Sequence, residues 1–317
     1  MRVDIFCVIR CAFIGDIMEN QELWRVMNEA WSALTACFEP EVERACIERD
    51  FAPRLWVMLL AVHTFEPEDT TPGHLMVRGP YSSSDIYLAR LNEAAQLGYL
   101  STIDTSKFRL TEKGRNTTIE LIQLARDAMN RADPLDPLES KEIAHLTSKL
   151  VENSLATEPP PSQWSIRLSY KLMPEIDPPL PYIEQAFSCL AAFRDDSHLA
   201  AWQNCGLSAT SLETLTLFWR GEVSSLSKLY QRLVSRGHPI RVYQDSLADL
   251  FKLGYLAGTD DSAWVTGIGR VFRNKIEADT DGYFYTPWAC LDGSQKQSLY
   301  QLLVKLRDGL ITRVKED

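Results

Sequence analysis

Two segments in the second half of the chain combine carboxylates and aromatic rings with a histidine. They are RDDSHLAAW, which begins at Arg194, and IEADTDGYFYTPW, which begins at Ile276. A histidine beside carboxylates can serve general acid–base catalysis or metal binding, and the aromatic rings could hold a small aromatic effector. The candidate ligand-binding residues are Arg194, Asp195, His198, Trp202, Asp281, Tyr283 and Trp288.

The same residues allow a purely structural interpretation, which we favour. Asp195 or Asp196 could cap a helix that begins at Ser197, Arg194 could pair with a carboxylate, and the aromatic run could wedge between long helices. The other histidines have no metal-ligand spacing, and no phosphate-binding glycine loop, nucleophile elbow or HExxH motif occurs. We therefore predict no catalytic residue, no metal, no cofactor and no enzyme activity, although catalysis around His198 stays open.

A second distinctive set of residues is basic and lies in the first half. QLGYLSTIDTSKFRLTEKGR, from Gln96, is closely similar to KLGYLAGTDDSAWVTGIGR, from Lys252. Both predict a helix end, a strand, a turn and a second strand. Cations in such a ribbon could contact phosphates, or they could be ordinary solvated charge. At three matched positions the first ribbon has cations and the second has a serine and two apolar residues: Lys107, Arg109 and Lys113 against Ser262, Trp264 and Ile268. This difference suggests that the second ribbon, which carries Trp264, packs against another surface.

The chain that must position these residues has 317 amino acids, enough for two domains. Its composition is that of a soluble globular protein, and its net charge of -10 does not suit a protein that coats nucleic acid, although local patches decide binding. Seven scattered cysteines without a CxxC pair argue against a zinc ribbon or a disulfide scaffold, and they favour a cytoplasmic location. No apolar run is long enough to span a membrane, so we predict no membrane partner.

The first 17 residues differ in pattern from the rest of the chain. They are mildly apolar but are interrupted by Arg10 and Asp16, and an amphipathic pattern begins only after Met18. We interpret residues 1–17 as a non-native leader or a disordered start, with Met18 as an alternative to Met1 as the natural start.

Similarity between the two halves extends beyond the ribbons at an offset of 156 residues. Leu97-Gly98-Tyr99-Leu100 matches Leu253-Gly254-Tyr255-Leu256, and Leu135-Asp136 matches Leu291-Asp292. A register kept this far predicts an internal duplication. We place repeat 1 at residues 18–156 and repeat 2 at 178–317, joined by a proline-rich connector at 157–177 that we expect to be extended.

Each repeat is predicted to hold a helix-turn-helix and a two-stranded ribbon. In repeat 1 the helices are PRLWVMLLAVHTF, HLMVRG and DIYLARLNEAAQLGYL. Ser84 or Asp85 could cap the third, Gly98 could end it in a left-handed conformation, and Asp136 could cap a later helix. The predicted fold is mainly α with small β-ribbons (α+β): two tandem winged-helix units with long flanking helices.

The stretches DIYLARLNEAAQLGYL and FRLTEKGR resemble the recognition helix and the wing strand of the MarR family of bacterial regulators. The resemblance covers about half of each repeat, and RDDSHLAAW and IEADTDGYFYTPW also resemble a group of tandem helix-turn-helix proteins. The MarR resemblance implies a dimeric regulator with a recognition helix in the major groove of double-stranded DNA and a wing over the phosphates. The residues that could make these contacts are Ser82, Ser83, Ser84, Tyr87, Arg90, Asn92, Lys107, Arg109, Lys113 and Arg115.

Repeat 2 is less suited to DNA. Its equivalent helix carries Asp245 and Asp249, and its wing turn carries Asp260 and Asp261, which phosphates would repel. We therefore predict a DNA-binding transcriptional regulator that acts through repeat 1 and could be a homodimer, with repeat 2 used for packing, dimerisation or ligand binding. The alternative is a degenerate tandem winged-helix protein that serves as a protein-interaction or small-ligand-binding module without DNA binding.

Overall fold

The computed structural model describes the backbone of residues 5–316 and the side chains of residues 20–313. The predicted leader, residues 1–17, lies outside the residues whose side chains are described, and its interpretation stays a prediction. Over the described residues the protein is mainly helical with two small antiparallel sheets of two strands each. This confirms the predicted mainly α class with small β-ribbons.

The described residues form mostly helices, and the strands among them are short. In order, they are α1 (Ile5–Glu48), α2 (Pro53–Phe65), α3 (Pro72–Arg78), α4 (Ser84–Gln96), β1 (Leu100–Asp104), β2 (Lys107–Leu110), α5 (Glu112–Ala132), α6 (Pro137–Leu155), α7 (Trp164–Tyr170), α8 (Pro179–Trp202), α9 (Ala209–Trp219), α10 (Leu226–Leu233), a 3-10 turn (Val234–Arg236), α11 (Ile240–Lys252), β3 (Leu256–Thr259), β4 (Ser262–Val265), α12 (Gly267–Tyr285), a second 3-10 turn (Thr286–Cys290) and α13 (Gly293–Glu316).

The chain divides into two compact units, each built from separate stretches. The helical unit consists of Met1–Pro53, Ile119–Arg194 and Tyr283–Asp317, and the winged-helix unit consists of Arg54–Thr118 and Asp195–Gly282. Each unit therefore draws on both predicted repeats. The repeat boundaries come from sequence similarity and stay a prediction, because the spatial units divide the chain differently.

Within the winged-helix unit, two modules have the same order of elements. The first module, residues 54–118, runs from α2 to the β1–β2 ribbon, and the second, residues 195–282, contains α9 to the β3–β4 ribbon. In each, three helices precede an antiparallel hairpin, which is the order of a winged helix-turn-helix. The third helices of the two modules, α4 and α11, each have 13 residues.

Local sequence explains where α4 begins and ends. Ser83 is the N-cap, and its hydroxyl accepts a hydrogen bond from the Ile86 amide, so the predicted caps Ser84 and Asp85 lie one and two residues too late. Leu91 and Ala94 face the core. Gly98 follows the helix with φ of +79°, as the sequence predicted, because an L-residue disfavours that conformation.

The second module has its own core beneath α11. Leu226, Leu229 and Leu233 recur on one face of α10, and they pack with Tyr243 and Leu247 of α11. Tyr243 and Leu247 are fully buried. The spacing of three to four residues gives each helix one apolar stripe, which holds α11 in a defined orientation.

In the helical unit, α1 packs along α13, and aromatic rings fill part of the core. The rings of Trp24, Phe284 and Trp288 lie within 6.2 Å of one another, and Trp288 is fully buried. This confirms the predicted wedging of the aromatic run. The predicted helix start at Asp195 or Asp196 is wrong, because both residues lie inside the continuous helix α8.

The prediction of an extended connector at residues 157–177 is also wrong in part, because α7 lies within it. The prolines stop at Pro161 and resume at Pro174, which leaves enough residues for two helical turns. The Ile166 side chain of α7 is fully buried, so packing stabilises this short helix.

No helix within the described part of the chain combines the length and the apolar character needed to cross a membrane.

Candidate nucleic-acid interface

The outer face of α4 presents part of the predicted DNA-contacting set to solvent. Ser84 and Asn92 are exposed, and Arg90 is half-buried. Tyr87 is half-buried and its hydroxyl donates to the Gly79 carbonyl at 3.0 Å, so it fixes the turn before α4. The residues of α4 that are available to a ligand are therefore Ser84 at its start and Arg90 and Asn92 farther along the helix.

The N-terminus of α4 contacts the second module. The Ser83 amide donates to the Arg236 carbonyl at 2.8 Å, and an Arg236 Nη1 donates to the Ser82 hydroxyl at 3.5 Å. His238 Nε2 lies 3.0 Å from the Tyr81 carbonyl oxygen. The first turn of α4 thus faces the turn that precedes α11, and Ser82 is buried there.

The cations of the first wing are not isolated charges. Their partners are carboxylates or carbonyls of the same module: Lys107 with Asp104 at 3.4 Å, Arg109 with Asp69 at 2.8 Å, Arg115 Nε with Glu66 at 3.1 Å, and Lys113 Nζ with the Leu97 carbonyl at 2.9 Å. Lys107 and Arg109 keep 51% of their side-chain surface exposed, so both remain accessible to another anion.

Electrostatics at Glu66 shows how firmly one of these pairs is held. Burial acts to raise the pKa of the Glu66 carboxyl, but Arg115 and His63 outweigh it and hold that pKa below its usual range. Arg115 therefore sits beside a carboxylate that stays ionised. Its guanidinium is better suited to anchor the start of α5 than to meet a phosphate.

The second wing presents a different surface. Within the described chain its ribbon is not packed, because the Trp264 side chain is 58% exposed, and packing of the ribbon against another surface stays a prediction. Ile268 and Val271, on the helix α12 after the ribbon, are also exposed. Asp245 and Asp249 are exposed on α11, so a phosphate would meet carboxylates on this helix, and apolar side chains at wing positions where the first module has cations.

The seven predicted ligand-binding residues are divided between the two units. In the helical unit, Trp288 is in the core, Tyr283 is half-buried, and the Arg194 guanidinium lies 5.1 Å from the Phe284 ring centre. The others lie in the winged-helix unit: Asp195 pairs with Arg78 at 2.7 Å, His198 Nδ1 is 3.2 Å from the Thr280 hydroxyl, Trp202 is buried, and Asp281 is half-buried.

One of the seven, His198, lines a cavity of about 370 Å³ in the winged-helix unit. Burial raises the pKa of the Tyr81 hydroxyl above its usual range, and burial also raises that of the Glu213 carboxyl despite nearby Arg236 and His238. The sequence analysis missed this cavity. One sequence signal could have indicated it: Arg273 is a charged residue on the apolar stripe of α12, beside Ile276.

Across the residues that the structure describes, no three His, Cys, Asp or Glu side chains are grouped to hold a metal ion.

Residues 122–315 match the model of a family described as a helix-turn-helix family. This stretch is more than half of the chain, and it includes α11 and the second wing but not α4. No curated protein and no solved structure matches the chain.

Proposed function

Because the chain belongs to this helix-turn-helix family, we propose that it is a DNA-binding transcriptional regulator of the MarR-like type that contacts double-stranded DNA through its first winged helix. We choose the first module because the two wings expose different side chains. The first exposes Lys107 and Arg109, whereas the second exposes Trp264 at the position that matches Arg109.

In this function the wing lies along the phosphates. An ion pair between exposed side chains contributes only about 0–1 kcal/mol, so a phosphate can replace Asp104 beside Lys107. Arg109 pairs with the less exposed Asp69, but its own side chain stays 51% exposed and can also contact a phosphate. The first module carries seven Lys and Arg against seven Asp and Glu, and the second carries nine against eleven. Phosphates therefore meet less repulsion at the first module.

The helix contributes through Ser84 at its start and through Arg90 and Asn92 farther along it. Arg90 and Asn92 could reach base edges, and Ser84 could donate to a phosphate. Ser82 and Ser83 instead hold α4 against the second module, so we assign them a positioning role. The proposal therefore rests on the wing and on Ser84, Arg90 and Asn92.

A salt series of anisotropy measurements on genomic DNA fragments tests this function. The wild type is compared with a Lys107→Ala/Arg109→Ala/Lys113→Ala variant. Each phosphate contact contributes about 0.9 to the slope of log affinity against log salt, so three lost contacts should make the slope shallower by about 2 to 3. Absence of binding at low salt would remove the proposal.

The matched control is Lys228→Ala/Arg241→Ala/Lys252→Ala, which removes three exposed cations from the second module and changes net charge equally. Its slope should stay at the wild-type value. If the slope of log affinity against log salt becomes equally shallow in both variants, overall charge rather than the first wing explains the binding.

A second candidate is a protein-interaction module without DNA binding. It is favoured by the exposed apolar surface of the second module, where Trp264, Ile268 and Val271 are 58%, 65% and 71% exposed. A second copy of the chain would cover this surface in a homodimer. Sedimentation velocity of the wild type and of Trp264→Ser/Ile268→Ser tests the homodimer. A wild-type dimer that becomes a monomer in the variant would support an interface at this surface, and a monomeric wild type would remove the homodimer.

A further inference from the structure

The second module covers the start of α4, the helix that the proposed function places on DNA. The covering segment, residues 236–238, precedes α11, and the Ser83 amide donates to its Arg236 carbonyl at 2.8 Å. Gly237 approaches the helix closely, because a Cβ built on it would lie 2.7 Å from the Ser83 hydroxyl oxygen and 3.0 Å from the Ile86 Cβ. The two modules therefore touch directly at the first turn of α4.

The residues just before α4 are also bound to the second module. The Tyr81 ring packs against an apolar cluster of that module, with its centre 6.1 Å from that of the Trp202 ring. The Tyr81 carbonyl oxygen lies 3.0 Å from His238 Nε2. Arg78, at the end of α3, pairs with Asp195 at 2.7 Å. Apolar packing, a hydrogen bond and an ion pair therefore hold the chain that leads into α4 on the second module.

The covered turn of α4 is the part that DNA recognition needs, because recognition helices contact base edges with their N-terminal residues. The major groove is about 12 Å wide, and a helix with its side chains already has a diameter of about 10–12 Å. A helix with a second backbone segment against its first turn is therefore too wide for the groove at that end. On α4, segment 236–238 occupies this position, and Ser82, just before the helix, is buried beside it.

We propose that the second module autoinhibits DNA binding by keeping the first turn of α4 out of the major groove. This inference rests on the proposed DNA-binding function and assigns its regulation. In the closed state, which the structure shows, DNA reaches the first wing, Arg90 and Asn92 but not the covered turn. In the open state, segment 236–238 has left Tyr81 and Ser83, and α4 enters the groove along its whole length. DNA binds the open state better and so shifts the population toward it.

The size of the inhibition follows from the fraction of molecules that are open. For binding through the open state, the apparent Kd equals the Kd of that state divided by the open fraction. Minor states of about 10% or less are ordinary in proteins, so closure should weaken DNA binding at least about tenfold. Releasing the contact recovers this factor, and a permanently closed chain binds DNA more weakly than the wild type.

A reversible cross-link tests the closed state. In Ile86→Cys/Gly237→Cys the two Cβ atoms start 3.0 Å apart, and a disulfide needs about 3.5–4.5 Å, so a small shift allows the bond. We expect the oxidised variant to bind a genomic DNA fragment, measured by fluorescence anisotropy, at least about tenfold more weakly than the same variant after reduction. Peptide mass spectrometry confirms the cross-link, and the wild type, which should bind equally under both conditions, controls for the native cysteines. Equal affinity of the oxidised and reduced variant would overturn the proposal.

Gly237→Ala tests release of the contact. Its methyl group pushes segment 236–238 away from Ser83 without changing net charge, so we expect DNA binding about tenfold tighter than that of the wild type. Gly221→Ala is the matched control, because Gly221 has a similar positive φ and nothing within 4 Å, and it should bind as the wild type does. Equal affinity of the two alanine variants would also contradict the proposal. If no form binds DNA at low salt, the DNA-binding function itself fails and autoinhibition with it, whereas binding that is insensitive to both the cross-link and Gly237→Ala removes only the autoinhibition.

Discussion

The charged residues of the first wing act through their partners as much as through their own charge. Arg109 and Lys107 each have a carboxylate nearby, and Arg115 has an ionised Glu66. The sequence analysis proposed all four wing cations as possible DNA contacts without their carboxylate partners, because a sequence gives residue types but not distances across a fold. Asp69 is 40 positions before Arg109, and no local pattern connects the two.

The carboxyl group of Glu184, a half-buried residue of the helical unit, gives a pH-dependent prediction. Burial raises the pKa of Glu184 above its usual range, and this outweighs the Trp31 indole, which donates at 3.1 Å, and the positive charge of Arg126. Between the ordinary pKa and the raised one, the folded chain binds more protons than the unfolded chain, so the free energy of unfolding falls as pH rises through that window.

Glu184→Gln keeps an acceptor for Trp31 but cannot ionise. We expect its free energy of unfolding, measured in urea at pH 5 and pH 8, to fall less over this interval than that of the wild type. Part of the fall in the free energy of unfolding should remain in this variant, because burial also raises the pKa of Glu213. A fall as steep as in the wild type would show that ionisation of Glu184 does not lower the free energy of unfolding.

Two cysteines on the same helix should differ in reactivity. Cys46 on α1 is fully buried, and burial raises the pKa of its thiol to about 11, whereas Cys37 on α1 is only half-buried. Because the thiolate is the reactive form, iodoacetamide at pH 8 should label Cys37 well before Cys46 in the folded protein. Peptide mass spectrometry measures both, and equal labelling in urea is the control; equal labelling without urea would contradict the burial of Cys46.

At the scale of elements, each wing is fastened to the helix after it by the same close approach. A Cβ on Gly114 would lie 2.0 Å from the Tyr99 carbonyl oxygen, and one on Gly269 would lie 2.2 Å from that of Tyr255. The preceding threonines, Thr111 and Thr266, donate to the carbonyls of the glycines that end α4 and α11. The two modules therefore share backbone geometry, while the duplication that would explain it stays a prediction.

This close approach predicts a strong effect of Gly114→Ala. The added methyl group would force the wing away from α5, and we expect a loss of roughly 3 kcal/mol in the free energy of unfolding. Gly98→Ala is the comparison, because its Cβ would meet nothing within 4 Å and only the positive φ of +79° is strained. That strain costs about 1 kcal/mol. Urea unfolding of both variants measures the difference, and a smaller loss in Gly114→Ala would contradict the close contact.

Sequence patterns predicted those elements whose signals are local. The helix-turn-helix order, the hairpins, the left-handed Gly98 and the helix cap at Asp136 depend on residues a few positions apart, and the structure has all of them. The cap of helix α4 was misplaced by one residue because three serines in a row satisfy the same rule. The cavity could not be predicted, since it joins Tyr81 to Arg273 across nearly 200 positions.

At the scale of the whole molecule, the negative net charge is a poor guide to the winged-helix modules. The first module is neutral and the second has a charge of -2, so a charge of -8 belongs to the rest of the chain. The acidic total therefore does not oppose DNA binding by the first module. For the same reason, the composition of the whole chain cannot decide between a DNA-binding regulator and an interaction module that does not bind DNA.

The two halves of the sequence meet where the turn before α11 lies against α4, and this contact supports the last prediction. Gly237 has φ of +76°, and a Cβ there would lie 2.7 Å from the Ser83 hydroxyl oxygen and 3.0 Å from the Ile86 Cβ. Gly221 has φ of +73° with nothing within 4 Å. Alanine at either position costs about 1 kcal/mol in backbone strain, but only Gly237→Ala should also push the modules apart.

Hydrogen exchange measures that separation directly. The Ser83 amide donates to the Arg236 carbonyl, so a peptide covering residues 80–88 should exchange faster in Gly237→Ala than in the wild type, and Gly221→Ala should leave this peptide unchanged. Equal exchange in the two variants would mean that the added methyl group is accommodated without moving α4. Faster exchange confined to Gly237→Ala would establish that the second module holds the first turn of the recognition helix, and that Ser82 and Ser83 become free for another partner only when this contact opens.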